Sequence, residues 1–91
     1  MAIGLIFEGN GVTQEQYEQV LAQTCPDNQP PPGMLYHAAG MGEHGMIVID
    51  IWESPESLHA FETDQLRQAR EAAHITSHEV TIFPLSNIMH P

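Results

Sequence analysis

The sequence predicts an α+β fold of order β-α-β-β-α-β, with an antiparallel four-stranded sheet and two helices on one face. Three observations predict it. Short apolar runs stand near both ends of the chain, and a central pair of such runs is joined by Gly42-Glu43-His44-Gly45. Two further segments open with capping residues and carry apolar residues at helical spacing. At 91 residues with 42% hydrophobic content, the chain has the size of one domain, expected over residues 1–91.

Residues 2–8 are apolar and closed by Gly9-Asn10-Gly11, a strand followed by a turn. Thr13 with Gln16 three positions on forms a capping box. Tyr17, Val20, Leu21 and Thr24 then make one buried helical stripe, which Pro26 ends. Pro30-Pro31-Pro32 is a stiff extended connector. Gly33 to Met41 and Met46 to Glu53 are the second and third strands, joined by a compact hairpin turn. Ser54-Pro55-Glu56 starts the second helix: a hydroxyl cap, proline at the first helical position, and an acid at the positive end of the dipole. Leu58 and Phe61 face inward. Thr63-Asp64 is expected to break this helix before a segment from Gln65 to Ala73 with Leu66, Ala69 and Ala73 inward. Thr76 to Phe83 is the last strand, and Pro84 begins a tail in which Ile88 and Met89 can still pack.

This order is that of a ferredoxin-like sandwich, whose second sheet face its own helices leave bare. The third strand, Met46-Ile47-Val48-Ile49-Asp50-Ile51-Trp52, is apolar on both faces except at Asp50, so the sheet is expected to be covered on both sides. A second copy in a two-fold homodimer is the simplest cover. A chain this short buries only about 60% of its unfolded surface, which also favours association.

Twelve acids against two arginines and no lysine give a net charge of −10, so nucleic acid and anionic membrane are poor partners. No apolar stretch approaches a membrane span, and residues 1–8 have no basic flank of a signal peptide, so a cytoplasmic location is expected. The lone Cys25 excludes an internal disulfide and a cysteine zinc cluster; it lacks a basic neighbour and reads as an unreactive helix-end residue.

If the hairpin turn centres on Glu43-His44, Met41 faces Met46, Ala39 faces Val48, His37 faces Asp50 and Leu35 faces Trp52. One face of the hairpin is then Leu35, His37, Ala39, Met41, Met46, Val48, Asp50 and Trp52. The other is Met34, Tyr36, Ala38, Ile47, Ile49 and Ile51. A carboxylate that orients an imidazole is the acid–base half of many active sites. A buried, mutually satisfied pair that only holds register is the alternative, and a one-residue slip removes the pairing altogether.

From Ile49-Asp50-Ile51-Trp52-Glu53-Ser54-Pro55-Glu56 to Ser57-Leu58-His59-Ala60-Phe61, the sequence resembles the dimeric α+β barrel proteins, in particular the antibiotic-biosynthesis monooxygenase-like group. A third strand running through Trp-Glu-Ser into a helix that carries a Phe is that group's usual signature. The resemblance covers nearly the whole chain in element order. It implies a homodimer with a small-ligand cavity in each subunit. It also implies, for several members, oxidation of polycyclic aromatic compounds with no metal or flavin cofactor. Haem-degrading members place a Trp nine residues beyond the strand Trp and a His ten residues after that. Here Phe61 and Glu71 stand at those positions and His74 lies three residues late, which argues against haem degradation.

His37 and Asp50 are therefore the candidate base and its orienting carboxylate. Tyr36, Trp52 and Phe61 are candidate cavity walls, although such aromatics, with Phe7 and Phe83, more often serve as core. Arg67 and Arg70 are the only cations and can grip an anionic ligand group. Their alternative is surface pairing with Asp64 or Glu71. A metal site built on His37, Asp50 and a further His is geometrically open, but no spacing demands it, and no metal is expected. His44 and His90 are expected in solvent, and Ser54 as a cap. The expected partner is a small hydrophobic molecule. Two functions stay open: a cofactor-independent monooxygenase acting on an aromatic or quinone-like compound, and a non-catalytic ligand-binding or stress-associated homodimer. A domain whose only role is assembly is a third reading.

Overall fold

The structure is a computed structural model that describes residues 1–91. Four strands, β1 (Ile3–Asn10), β2 (Met34–Met41), β3 (Gly45–Trp52) and β4 (Glu79–Pro84), form one antiparallel sheet in the order β2-β3-β1-β4. Helix α1 (Gln14–Thr24) connects β1 to β2. The β3–β4 connection carries α2 (Pro55–Phe61), a π-helical turn (Glu62–Leu66) and α3 (Arg67–Ala72). This is the ferredoxin-like βαββαβ arrangement.

The caps act as their residue types predict. The Gln16 amide donates to Thr13 Oγ1 and the Thr13 amide donates to the Gln16 side chain, so two orphan donors of α1 are satisfied together. Ser54 accepts from the Ser57 amide, with Pro55 in the first turn of α2. Side chains of Gln16 and Gln19 donate to the carbonyls of Ala73 and Ala72, which ties α1 to the end of α3.

Three features differ by more than a residue from the sequence expectation. Strand β1 runs on to Asn10, because Gly9 and Asn10 pair with Met46 and Gly45 before the chain turns. A Cβ on Gly45 would lie 2.0 Å from the Gly9 carbonyl oxygen, so the two backbones approach there as only glycine permits. Strand β4 starts at Glu79, since Ile75 is drawn into the core with Val12, Met46 and Ala73 and the chain needs residues 76–78 to return to the sheet. Thr63-Asp64 does not break the helix. The backbone stays helical and takes up one extra residue, the Arg67 amide donating to the Glu62 carbonyl.

The β2–β3 register is as expected from Met41 opposite Met46 down to His37 opposite Asp50. Tyr36 opposite Ile51 keeps that register, and beyond Tyr36 it changes. A bulge lies between Met34 and Tyr36, so Met34, not Leu35, faces Trp52. Met34 thereby turns inward to pack with Ile3, Cys25, Trp52 and Phe61, while Leu35 is 56% exposed.

Two cross-strand rows of the helix-free face of the sheet are apolar and largely uncovered within the chain, and a third ends in Glu8 and Glu79. Ala38, Ile49, Ile6 and Thr81 form one cross-strand row on it; Tyr36, Ile51, Gly4 and Phe83 form the next. Phe83 lies over Gly4, where a Cβ would come 2.7 Å from its ring. Ile49 is 49% exposed there. Strand β4 is exposed along its length, and only 14 of 91 residues are buried, because half of the sheet's apolar surface meets no other part of the chain.

Candidate functional site

Between the helices and the sheet lies a cavity of about 430 Å³, a size suited to a small organic ligand. Sixteen of its 24 lining residues are hydrophobic, so any polar group in the wall is conspicuous. Strands β1 and β3 supply Leu5, Phe7, Met46, Val48 and Asp50. Helix α1 supplies Tyr17, Val20 and Leu21, and the segment Asn28-Gln29-Pro30 borders it before β2 adds His37. The cavity is thus on the helix side of the sheet.

Register places His37 and Asp50 directly opposite on adjacent strands, and the side chains meet. His37 Nδ1 lies 2.6 Å from Asp50 Oδ1. A carboxylate only accepts, so Nδ1 carries the proton and donates. The second carboxylate oxygen accepts from the Trp52 indole N–H at 3.3 Å. Two residues apart on β3, Asp50 and Trp52 point to the same face, which makes that contact possible. On the far side of the imidazole, His37 Nε2 lies 2.7 Å from the Tyr17 hydroxyl. In the neutral ring Nε2 accepts and the phenol donates. The four side chains form one continuous chain, Trp52–Asp50–His37–Tyr17, with Asp50 only 10% exposed and His37 27%. Burial, with smaller contributions from Cys25 and Asp50, pushes the Tyr17 phenol above its ordinary value of 10.0, so it stays protonated.

A second polar feature in the wall is the Glu62–Arg70 pair. Arg70 donates with both terminal nitrogens to the two carboxylate oxygens, a forked arrangement with Nη1 to Oε2 at 2.7 Å. The two residues are eight apart, whereas two turns of an α-helix take roughly seven. The extra residue of the π turn makes the eight-residue step span two turns and brings both side chains to one face. The Arg70 hydrogen bonds hold the Glu62 carboxyl below its ordinary value of 4.5, and the same bonds raise the guanidinium.

Tyr36, in the helix-free row beside Ile51 and 55% exposed, only borders the cavity, while His37, Asp50, Phe61 and Arg70 line it. Two other candidates do not. Trp52 is 0% exposed and is no cavity wall: it packs against Phe61, ring centroids 5.5 Å apart, and serves the site only through Asp50. Arg67 is exposed and away from the cavity, because the π turn rotates Arg70 inward and leaves Arg67 outside. Arg70 pairs with Glu62, not with Asp64 or Glu71. Cys25 caps α1, its amide donating to Leu21, and its side chain is buried against the cavity. Glu71 and His74 are exposed. No cluster of three or more His, Cys, Asp or Glu side chains is placed to hold a metal ion, so His37 and Asp50 gain no third ligand. Sequence reasoning missed Tyr17, which its i, i+3, i+4 spacing assigned to the core stripe; nothing in that spacing shows that the stripe faces His37.

No protein-family model and no curated protein matches the sequence. Solved structures do match the fold. A protein from Deinococcus radiodurans described as an antibiotic biosynthesis monooxygenase superposes with a TM-score of 0.67 at 17% identity, covering 100% of this chain and 98% of its own. SnoaB from Streptomyces nogalater, a cofactor-independent oxygenase, gives 0.66 at 14% identity, with 97% and 94% covered. The chain has the fold of the antibiotic-biosynthesis monooxygenase-like proteins. The monooxygenase ActVA-Orf6 from Streptomyces coelicolor, in complex with nanaomycin D, gives 0.59 at 16% identity over 99% and 91% of the two chains. These likenesses support a monooxygenase-like fold, and at such identities they carry the fold alone. No helix is long and apolar enough to cross a membrane.

Proposed function

We propose that the protein is a cofactor-independent monooxygenase-like enzyme acting on a small, apolar, hydroxylated aromatic or quinone-like compound. The observation that supports it is a hydrogen-bonded carboxylate–imidazole pair set in the wall of a largely apolar cavity. In this reading His37 is the base, Asp50 fixes its tautomer and compensates the charge the ring takes on, and Phe61 bounds the ligand. Taking a proton from a phenol or an anthrone leaves an electron-rich anion that molecular oxygen attacks. With an anthrone, one oxygen atom becomes the new carbonyl and the other leaves as water; the substrate supplies all four electrons, so no reductant enters. The likeness to SnoaB and ActVA-Orf6 supports the class of reaction.

The bare sheet face supports a homodimer in which two copies cover each other's Ile49 rows. Oxygen uptake with anthrone-type compounds or dihydroxynaphthalene tests the activity. The expected result is uptake that His37→Ala lowers by about 100-fold or more. A variant as active as the parent removes His37 from the role. Ligand binding with no oxygen consumed favours the non-catalytic binding protein.

A further inference from the structure

The chain Trp52–Asp50–His37–Tyr17 uses nearly all of its own donors and acceptors. The Trp52 N–H is used by Asp50, each Asp50 oxygen already accepts one bond with the side chain only 10% exposed, and His37 Nδ1 donates to Asp50. His37 Nε2, the one nitrogen able to take a proton, is covered by the Tyr17 hydroxyl. A ligand hydroxyl therefore meets no free acceptor on His37. The acceptor left along this chain is the Tyr17 oxygen, whose lone pairs are unused once its own proton goes to Nε2. Tyr17 lines the cavity. We infer that Tyr17 is the residue that receives the ligand's hydroxyl and relays its proton to His37.

The transfer balances without any further reactant. The ligand O–H bond breaks and its proton joins the Tyr17 oxygen while the original phenolic proton moves to His37 Nε2. The electron pair stays on the ligand oxygen, and the products are a phenolate and an imidazolium whose Nδ1–H faces Asp50. Because burial disfavours a free tyrosinate, the two transfers occur together and Tyr17 is never left charged. This inference rests on the reading of the cavity as a site for hydroxylated aromatics, but it does not depend on oxygen chemistry.

The test uses 4-nitrophenol, whose phenolate is coloured, against 4-nitroanisole, which has no proton to give. The parent protein is expected to bind 4-nitrophenol about fivefold more tightly than the ether, the ratio a net hydrogen bond supports, and to raise the phenolate absorbance on binding. Tyr17→Phe alone uncovers His37 Nε2 as a second acceptor, so the comparison is made with His37 removed. His37→Ala loses the colour while the preference persists, and adding Tyr17→Phe to it is expected to bring the preference below about twofold. A parent without preference, or a His37→Ala/Tyr17→Phe double variant that keeps the preference of His37→Ala, overturns the inference. If the double variant does not fold, tyrosine labelled at Cζ in the parent decides. The Tyr17 resonance moves with 4-nitrophenol and not with 4-nitroanisole, and an unmoved resonance overturns the inference. Intact preference and colour with no oxygen uptake from anthrones leave Tyr17 in place and remove the monooxygenase reading instead.

Discussion

Replacing Asp50 separates its two duties, holding donors and setting a tautomer. In Asp50→Asn one oxygen and one NH₂ replace two acceptors. The indole of Trp52 can only donate, so the Asn oxygen turns to it and the NH₂ faces His37. The imidazole then accepts at Nδ1 and carries its proton at Nε2, which points at the Tyr17 oxygen. Two charge-assisted bonds become neutral ones, a loss of about 1–2 kcal/mol. At about 4–8 °C per kcal/mol for a domain of this size, the melting temperature falls by roughly 5–15 °C. Asp50→Ala strips both donors at once. The Trp52 N–H, wholly enclosed, carries the larger share and His37, 27% exposed, recovers part by hydration. The loss is about 2–5 kcal/mol, out of a total stability of roughly 5–14 kcal/mol for 91 residues. The asparagine variant should fold well and yet ionise no 4-nitrophenol, since its imidazole is turned the wrong way; catalysis in comparable wrong-tautomer sites drops about 10⁴-fold. Thermal melts give the stabilities, and long-range ¹⁵N–¹H spectra of the imidazole give the tautomer. A His37 in Asp50→Asn that still carries its proton at Nδ1 would falsify the reasoning.

Two other expectations follow from separate parts of the molecule. Ile49→Asp places a charge in the middle of the bare sheet face, and light scattering should move from twice 10.1 kDa for the parent to 10.1 kDa for the variant; a parent that is already monomeric ends the dimer proposal. Because the folded Glu62 carboxyl is held below its unfolded value, its pair with Arg70 contributes stability that is fully present above about pH 4.5 and lost as pH falls through the lowered folded value. Denaturant unfolding between pH 6 and pH 3 should therefore be less acid-sensitive in Glu62→Gln than in the parent, and equal slopes would refute it.

The hairpin shows what a sequence carries plainly. Gly42 to Gly45 pins the turn, the Gly42 amide donating to the Gly45 carbonyl, and a period of two then places His37 against Asp50 with no knowledge of the rest of the chain. Leu35 shows where that reasoning ends. A bulge is chosen by packing, here by what Met34 gains against Trp52 and Phe61, and no local residue preference announces it. The π turn is similar: Thr63-Asp64 marks the right place for an irregularity, but the demand that Glu62 and Arg70 share a face arises only once both point into a cavity. Tyr17 was hidden by its own amphipathic character. The stripe that buries α1 is the same stripe that delivers a hydroxyl, and only the opposing strand distinguishes the two uses.

The single tryptophan of the chain, sealed from solvent and bonded through its indole N–H to the carboxylate behind His37, makes the molecule its own reporter. Ultraviolet emission from that ring senses the charge two bonds away along the relay, so arrival of a ligand or of a proton can be followed in the unlabelled protein without attaching a dye.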